Sequence, residues 1–364
     1  MRRVVIKLGS SIVAGEGGEL REDVLGHVCD VAAQLHAAGD EVLIVTSGAI
    51  ARGMQVIDMP GRPTAIEELQ AASAVGQGKL YRVYDELLRA RGLTSAQVLL
   101  TFFDMSARSH YLNVRRTLST LLRWRVVPVI NENDTTATDE ISFGDNDFLA
   151  AQVAVLVSAD LLVLLTHTEG LFSADPRHHP NARLIAEVTD FEALGAIAEI
   201  TAHASPLGSG GMHSKVVAAD MATAAGIRTV ICDGRRVGIL EQVLAGGIVG
   251  TNFPAREARY SSFKLWLKYA KPSHGTLVID AGAARALREA GTSLLPVGVI
   301  DVLGSFDAGD AVQIVHERRA LAKGITNYSA DELRQIRGLK SAKVRELLPR
   351  ASEEAVHRDY LVMD

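Results

Sequence analysis

Arg3-Val4-Val5-Ile6-Lys7-Leu8-Gly9-Ser10-Ser11 is the stretch whose reading decides the fold. Val4 to Leu8 is an aliphatic run too short for a helix and stopped by a glycine, the pattern of a strand buried on both faces. Lys7 interrupts it. An ammonium group inside an apolar strand is costly to bury unless an anion meets it. Either the strand lies at an edge and Lys7 reaches out to water, or it ends at an anion site. Gly9 would let a backbone come close to a phosphate, and Ser10 and Ser11 would add donors.

Outward from that strand the same unit recurs. The spacing predicts a helix over Glu22 to Ala38, a strand over Glu41 to Thr46, and a helix over Ile66 to Ala90. Strands at Ala96 to Leu100, Val126 to Ile130, Leu161 to Leu165 and Arg228 to Cys232 alternate with helices at Leu112 to Arg123, Phe148 to Val157, Lys215 to Ala225 and Gly238 to Leu244. Apolar strands alternating with helices call for an α/β fold, a parallel sheet covered on both faces. Beyond Gly250 the pattern changes to short strands (Thr276 to Ile279, Val297 to Leu303, Ala311 to His316, Ala320 to Thr326) with helices at Ala281 to Ala290 and Ala330 to Arg337. That is a second, small, mostly β domain. The expected division is 1–252, a linker 253–271, the small domain 272–351 and a tail 352–364.

With 364 residues, 48% hydrophobic and 22% charged, the chain has the composition of a globular protein able to bury a sizeable core. A net charge of −5 gives no bulk attraction to nucleic acid or anionic membrane. Cys29 and Cys232 are far apart and make neither a disulfide framework nor a metal-ligand spacing, so a reducing compartment is the default. The run after Arg2-Arg3 stops at Lys7, which excludes it as a signal h-region, and no stretch has the apolar length of a membrane span. The expectation is a cytoplasmic protein with no membrane partner.

Every chemical motif follows a predicted strand, where open α/β sheets bind ligands. After the second strand, Ser47 in Thr46-Ser47-Gly48-Ala49-Ile50 could cap a helix or donate to an anion. Two amide and acid clusters, Asn131-Glu132-Asn133-Asp134 and Gly144-Asp145-Asn146-Asp147, are either Asx-rich turns or groups that hold an ammonium, a lysine or magnesium. Leu207-Gly208-Ser209-Gly210-Gly211-Met212-His213-Ser214-Lys215 is a glycine-rich loop feeding a helix, a phosphate cradle by dipole, though not of the G-x-x-x-x-G-K-[ST] order. Lys7 and Lys215, each beside a glycine turn, suit the two ends of a transferring phosphoryl group, a reaction that needs positioning and charge neutralisation more than covalent help. No residue reads as a dedicated general base. That fits an acceptor already ionised, such as a carboxylate.

These residues resemble the glutamate 5-kinases of the amino-acid-kinase superfamily: Lys7-Leu8-Gly9-Ser10-Ser11, Val45-Thr46-Ser47-Gly48-Ala49-Ile50-Ala51, Pro128 to Asp134, Gly144 to Asp147, and Gly208 to Lys215. The C-terminal part resembles the PUA domain that many members carry. The resemblance implies ATP-dependent phosphorylation of glutamate, the first step of proline biosynthesis, with Lys7, Lys215 and Asp147 catalytic. It implies that Ser47, Asp134 and Asn146 hold glutamate, with Asp134 on its α-ammonium. It puts Lys7, Gly9, Thr166, His167, Ser209, Gly210, Gly211, Met212, His213, Ser214 and Lys215 at the nucleotide. Magnesium would come with ATP, through phosphates and waters. Proline is implied as inhibitor, with Met59 to Ile66 as the loop concerned, together with self-association and a glutamyl phosphate reductase as the next enzyme. One departure stands out, because the family usually has an aspartate where this chain has His167; a smaller one lies at Thr101-Phe102-Phe103-Asp104-Met105, where a basic residue often follows the threonine. Another kinase of the superfamily, acting on aspartate, acetylglutamate or uridylate, is the nearest competing reading. RNA binding through the small domain is disfavoured, because residues 266–364 carry 14 Lys plus Arg against 13 Asp plus Glu with no basic cluster.

Overall fold

The computed structural model describes residues 1–364 other than 16, 102–103, 106–107, 137–145, 192–193, 195–210, 258–261, 270, 349–351 and 364, and only the backbone of 108, 109 and 262. It divides into two units, Met1–Arg259 and Tyr260–Asp364.

In chain order the first unit comprises β1 (Arg3–Leu8), α1 (Ser10–Val13), α2 (Glu22–Ala37), β2 (Glu41–Val45), α3 (Ala49–Val56), α4 (Ile66–Arg89) and β3 (Ser95–Leu100). It continues with α5 (Arg108–Arg123), β4 (Val127–Glu132), α6 (Asn146–Val157), β5 (Leu161–Thr166), α7 (Met212–Ala224), β6 (Arg228–Asp233), α8 (Ile239–Leu244) and β7 (Thr251–Phe253). Seven strands form one sheet in the order β3-β4-β2-β1-β5-β6-β7. All its pairings are parallel except β6 with β7. β1 lies at the centre, with Lys7 registered against Val45 of β2 and Leu164 of β5. The edge-strand alternative for Lys7 is therefore excluded. Val4, Ile6 and Leu8 pack with Leu25, Val28 and Leu35 of α2 on one face. By the strand's alternation Lys7 faces the opposite side.

That other face is roofed by α6, whose residues Leu149 to Val157 are all buried. A helix apolar all round has no solvent side to offer. Asn146 and Asp147 stand in its first turn, over the carboxyl ends of the strands, and Gln152 is the one polar residue within its buried length. On the α2 side, α3 and α4 meet at backbone contact: a Cβ on Gly53 would fall 1.7 Å from the Ala72 carbonyl oxygen, and one on Gly76 would fall 1.9 Å from that of Ala49. Only glycine permits this approach, and it brings the side chains of α4 to the end of β4.

The first unit runs past the expected limit at 252. β7 continues to Phe253, and Thr251 Oγ1 accepts from the Leu171 backbone N–H at 2.8 Å. Beyond it Arg256 pairs with Asp220 of α7 and stacks over Phe191. The second unit holds α9 (Ser262–Tyr269), β8 (Ser273–Ile279), α10 (Ala281–Arg285), β9 (Val299–Gly304), β10 (Ala311–His316), β11 (Arg319–Thr326), α11 (Ala330–Ile336), α12 (Ser341–Leu347) and β12 (Val356–Met363). Its sheet runs β12-β11-β10-β8-β9. Two stretches depart from expectation. The expected linker contains α9, with Trp266 and Leu267 buried against Ala311 and Val362. The expected tail contains β12, an edge strand whose exposed Arg358 and Asp359 break the alternation that would announce it. Glu317 and Arg318 both take left-handed backbone (φ 50° and 65°) in the tight β10–β11 hairpin.

Candidate active site

Three charged side chains from β1, α6 and α7 meet under the roof of the first sheet. Lys7 Nζ donates to Asp147 Oδ1, and Lys215 Nζ donates to Asp147 Oδ2 at 2.8 Å. Their relative exposures are 3%, 0% and 6%, so the triad is withdrawn from water. Burial alone would raise the Asp147 pKa, but Lys215 and then Lys7 outweigh it and hold the carboxyl well below the ordinary carboxylate range. Ser214 Oγ lies 3.2 Å from Asp147 Oδ2 and donates to the Gly211 carbonyl at 2.8 Å. Lys215 stands in the first turn of α7, where the helix dipole disfavours a cation and favours an anion. Asp147 offsets that cost. The arrangement carries one net positive charge beside a helix N-terminus, the electrostatics of a polyanion site.

Around it, Gly9 follows β1 as the N-cap of α1, and its N–H donates to the Leu165 carbonyl at 3.3 Å. Its φ of −73° is open to any residue. A Cβ there would make only ordinary contact, 3.7 Å from Lys7 Nζ and 3.6 Å from the Leu165 carbonyl oxygen. Among the described residues nothing lies within 4 Å of a Cβ built on Gly211, the N-cap of α7. Thr166 ends β5 and is buried. His167 follows, with Nδ1 3.3 Å from Ser11 Oγ and its carbonyl accepting from Arg235 at 2.7 Å. Burial first, then the charges of Lys215 and Arg235, push the His167 pKa down, against an opposing pull from Asp233.

A second cluster adjoins the triad through the residue before Asp147. Asn146 Nδ2 donates to the Thr46 carbonyl at 2.6 Å, to Asn131 Oδ1 at 2.7 Å and to Ser47 Oγ at 3.0 Å. Asn131 Nδ2 donates in turn to Gln77 Oε1 at 2.6 Å. Asp134, in the turn after β4, accepts from Ser73 Oγ at 2.6 Å. Burial raises the Asp134 pKa, and Ser73 and the charge of Arg62 only partly counter it.

Residues 2–233 match the amino acid kinase family, and residues 275–348 match the PUA domain. A glutamate 5-kinase of Chromohalobacter salexigens is 50% identical over 100% of this chain and 96% of its own. A glutamate 5-kinase of Burkholderia vietnamiensis is 45% identical over 100% of this chain and 98% of its own. The chain belongs to the amino acid kinase family.

In this amino acid kinase the structure brings Lys7, Asp147 and Lys215 together, and Ser47 with Asn146. Asp134 is linked to α4. Ser209 and Gly210 lie outside the described residues, as do Gly144 and Asp145. Met212 and His213 open α7, and His213 is exposed. Ser47 caps no helix: the N-cap of α3 is Gly48 (φ 102°), where a Cβ would meet Val13 Cγ1 at 3.0 Å. Ser47 instead accepts from Asn146. Sequence reasoning missed Ser73, Gln77 and Arg235. The first two sit on an unremarkable polar helix face, and the available signal was Gly76 beside them, since a glycine within a helix costs about 1 kcal/mol unless packing needs it.

Proposed function

We propose that this protein transfers the γ-phosphoryl group of ATP to the side-chain carboxylate of L-glutamate, giving γ-glutamyl phosphate and ADP as the first step of proline biosynthesis. The observation that carries the reading is the adjacency of Asn146 and Asp147. One belongs to an amide and hydroxyl pocket suited to a small polar acceptor, the next to two ammonium groups suited to a phosphate chain. A single helical turn thus sets acceptor and donor side by side, which is what an in-line transfer needs.

In this reading Lys7 and Lys215 contact the phosphates and neutralise the charge that spreads over the transferring group, while Asp147 orients both. Gly9, Thr166, His167 and the loop from Ser209 through Gly210, Gly211, Met212, His213 and Ser214 surround the nucleotide. Ser47, Asp134 and Asn146 hold glutamate, with Asp134 on its α-ammonium. A glutamate carboxylate oxygen forms the new bond to phosphorus, and the bond from phosphorus to the β–γ bridging oxygen breaks, its electron pair leaving on ADP. No proton moves, in keeping with a site whose carboxylates are tied to lysines and a serine. The donor set fits a polyanion better than a bare cation, so Mg2+ would be held through the phosphates and water. Proline as inhibitor, self-association, a cytoplasmic setting and a glutamyl phosphate reductase as the consumer of the acyl phosphate complete the proposal. Arg62, within electrostatic reach of Asp134, gives the loop Met59 to Ile66 a link to the acceptor pocket.

The test is incubation with MgATP and glutamate, trapping the acyl phosphate with hydroxylamine, with and without proline, with aspartate and N-acetylglutamate as alternative carboxylate acceptors, and with UMP, which forms no acyl phosphate, followed by ADP release. Glutamyl hydroxamate is expected with glutamate alone among them. Absence of product with glutamate, or preference for another acceptor, overturns the reading.

A further inference from the structure

Asn146 poses a question of polarity. Its Nδ2 faces the Thr46 carbonyl, a group that can only accept, so the amide orientation is fixed by backbone rather than chosen freely. The amide then donates to Asn131 Oδ1, which obliges Asn131 to present its own Nδ2 outward, to Gln77 Oε1. Gln77 is thus the acceptor that ends a directed relay running Asn146 to Asn131 to Gln77. The far end of Asn146 bears the consequence: Oδ1 is buried and has no hydrogen-bond partner among the described residues. A buried acceptor with no partner among the described residues is placed to take a donor from a bound ligand. Asp134 repeats the logic. Ser73, one helical turn before Gln77, gives its only hydroxyl proton to Asp134 Oδ2, and Asp134 is 6% exposed. A carboxylate withdrawn from water with one neutral donor calls for a cation. Both acceptors belong to residues that α4 holds in place, and α4 stands where it does because Gly53 and Gly76 let α3 and α4 touch.

We propose that Ser73 and Gln77 are positioning residues that set the polarity of the acceptor pocket, turning Asn146 Oδ1 and Asp134 toward an α-ammonium group and so selecting an amino acid over the corresponding plain dicarboxylate. This rests on the glutamate reading above. Neither side chain touches the reacting atoms; each acts through the residue it holds. Removing the acceptor at 77 frees Asn131 to rotate and leaves Asn146 without a fixed neighbour. Removing the hydroxyl at 73 lets Asp134 turn away.

The experiment compares glutamate with glutarate, which has the same two carboxylates and no ammonium group, in the full-length protein. In the wild type kcat/KM should favour glutamate strongly. Gln77→Met keeps the length and loses the acceptor; Ser73→Ala loses the donor. Each should raise KM for glutamate about tenfold, the size of one hydrogen bond to a charged or buried group. KM for ATP and turnover of glutarate should change less than about twofold, so the glutamate-to-glutarate ratio falls. Gln77→Glu and Ser73→Thr restore acceptor and donor and should recover most of that ratio. Equal losses on both acceptors, or an unchanged ratio in both loss variants, overturn the role of Ser73 and Gln77. Should Gln77→Met fail to fold, Ser73→Ala decides alone. A wild type that turns over no glutamate sinks the underlying reading instead, and the two failures are told apart before any variant is made.

Discussion

The two units spend their buried volume differently. Among the described residues, the buried polar and charged side chains are Lys7, Asp40, Ser47, Asn131, Asp134, Asn146, Asp147, Lys215, Asp233 and several others of the first unit, against Thr326 alone in the second. The second unit encloses an ordinary apolar core of Leu277, Val312, Ile314, Leu333 and their neighbours. Its polar groups sit outside or at helix caps such as Ser329 with Glu332. The first unit accepts the desolvation of several charges: Lys7, Asp134, Asp147 and Lys215 gather about the carboxyl ends of β1 and β4, Asp40 precedes β2 where Arg2 meets it, and Asp233 ends β6. Burying charge is costly unless a ligand or a partner makes use of it. The contrast separates a unit shaped by chemistry from one shaped by packing.

The sharpest way to break that contrast is to remove one charge from each unit. Lys215→Ala should lower kcat by about a hundredfold or more, as loss of a transition-state charge partner does, while KM for glutamate changes little. Lys323→Ala in the second unit should leave kcat within about twofold. Comparable losses from both would erase the distinction.

Stability gives the next measure. Asp147→Asn leaves two buried lysines with a neutral partner and should cost about 3 kcal/mol in urea unfolding at neutral pH. Thr326→Val should cost no more than about 1.5 kcal/mol. Because the Asp147 pKa is depressed in the folded protein, its contribution is present above the unfolded carboxylate range and is lost as pH falls through the folded value. The variant's deficit should therefore shrink in acid.

A pH series refines the comparison within the first unit. The Asp134 pKa is raised, so its carboxyl takes up a proton at a higher pH than an ordinary carboxylate. A protonated Asp134 cannot pair with an ammonium, and KM for glutamate should climb as pH falls through that raised range. Asp134→Asn should show a high KM with the slope removed. KM for ATP should not follow the same curve in either protein.

Removing the whole second unit should also have a small effect. A chain ending at Arg259 should keep kcat within about threefold, because the residues assigned to the reaction all precede that point. The cut has to fall there and not near Gly250. A chain ended at Gly250 would lose β7, its hydrogen bonds to β6, and the Arg256 contacts to Asp220 and Phe191, and should be destabilised. Circular dichroism and steady-state kinetics on both fragments test the difference.

How legible all this was in the sequence depended on whether a residue violated its surroundings. Lys7 could be singled out because it stands in an apolar strand, and Asn146-Asp147 because they belong to one of two clusters of amide and acid groups close together in the sequence. Lys215 was marked by the glycines before it. Ser73 and Gln77 violate nothing: in a long amphipathic helix a polar face turned to a site looks the same as one turned to water. β12 was hidden for the converse reason, since an edge strand with a charged centre reads as a tail. Sequence periodicity reports burial. It does not report which polar groups share it, and that information resides in contacts such as Gly53 with Ala72 and Gly76 with Ala49.

Asp147 has one more consequence, for the moments when the proposed reaction is not occurring. A carboxylate between two ammonium groups acts as a resident counter-ion, so the lysines have an anion at hand whether or not nucleotide is present. Departing ADP is replaced at once by the resident group, and no buried charge is stranded. In the proposed reaction the carboxylate would thus keep both lysines paired each time product leaves.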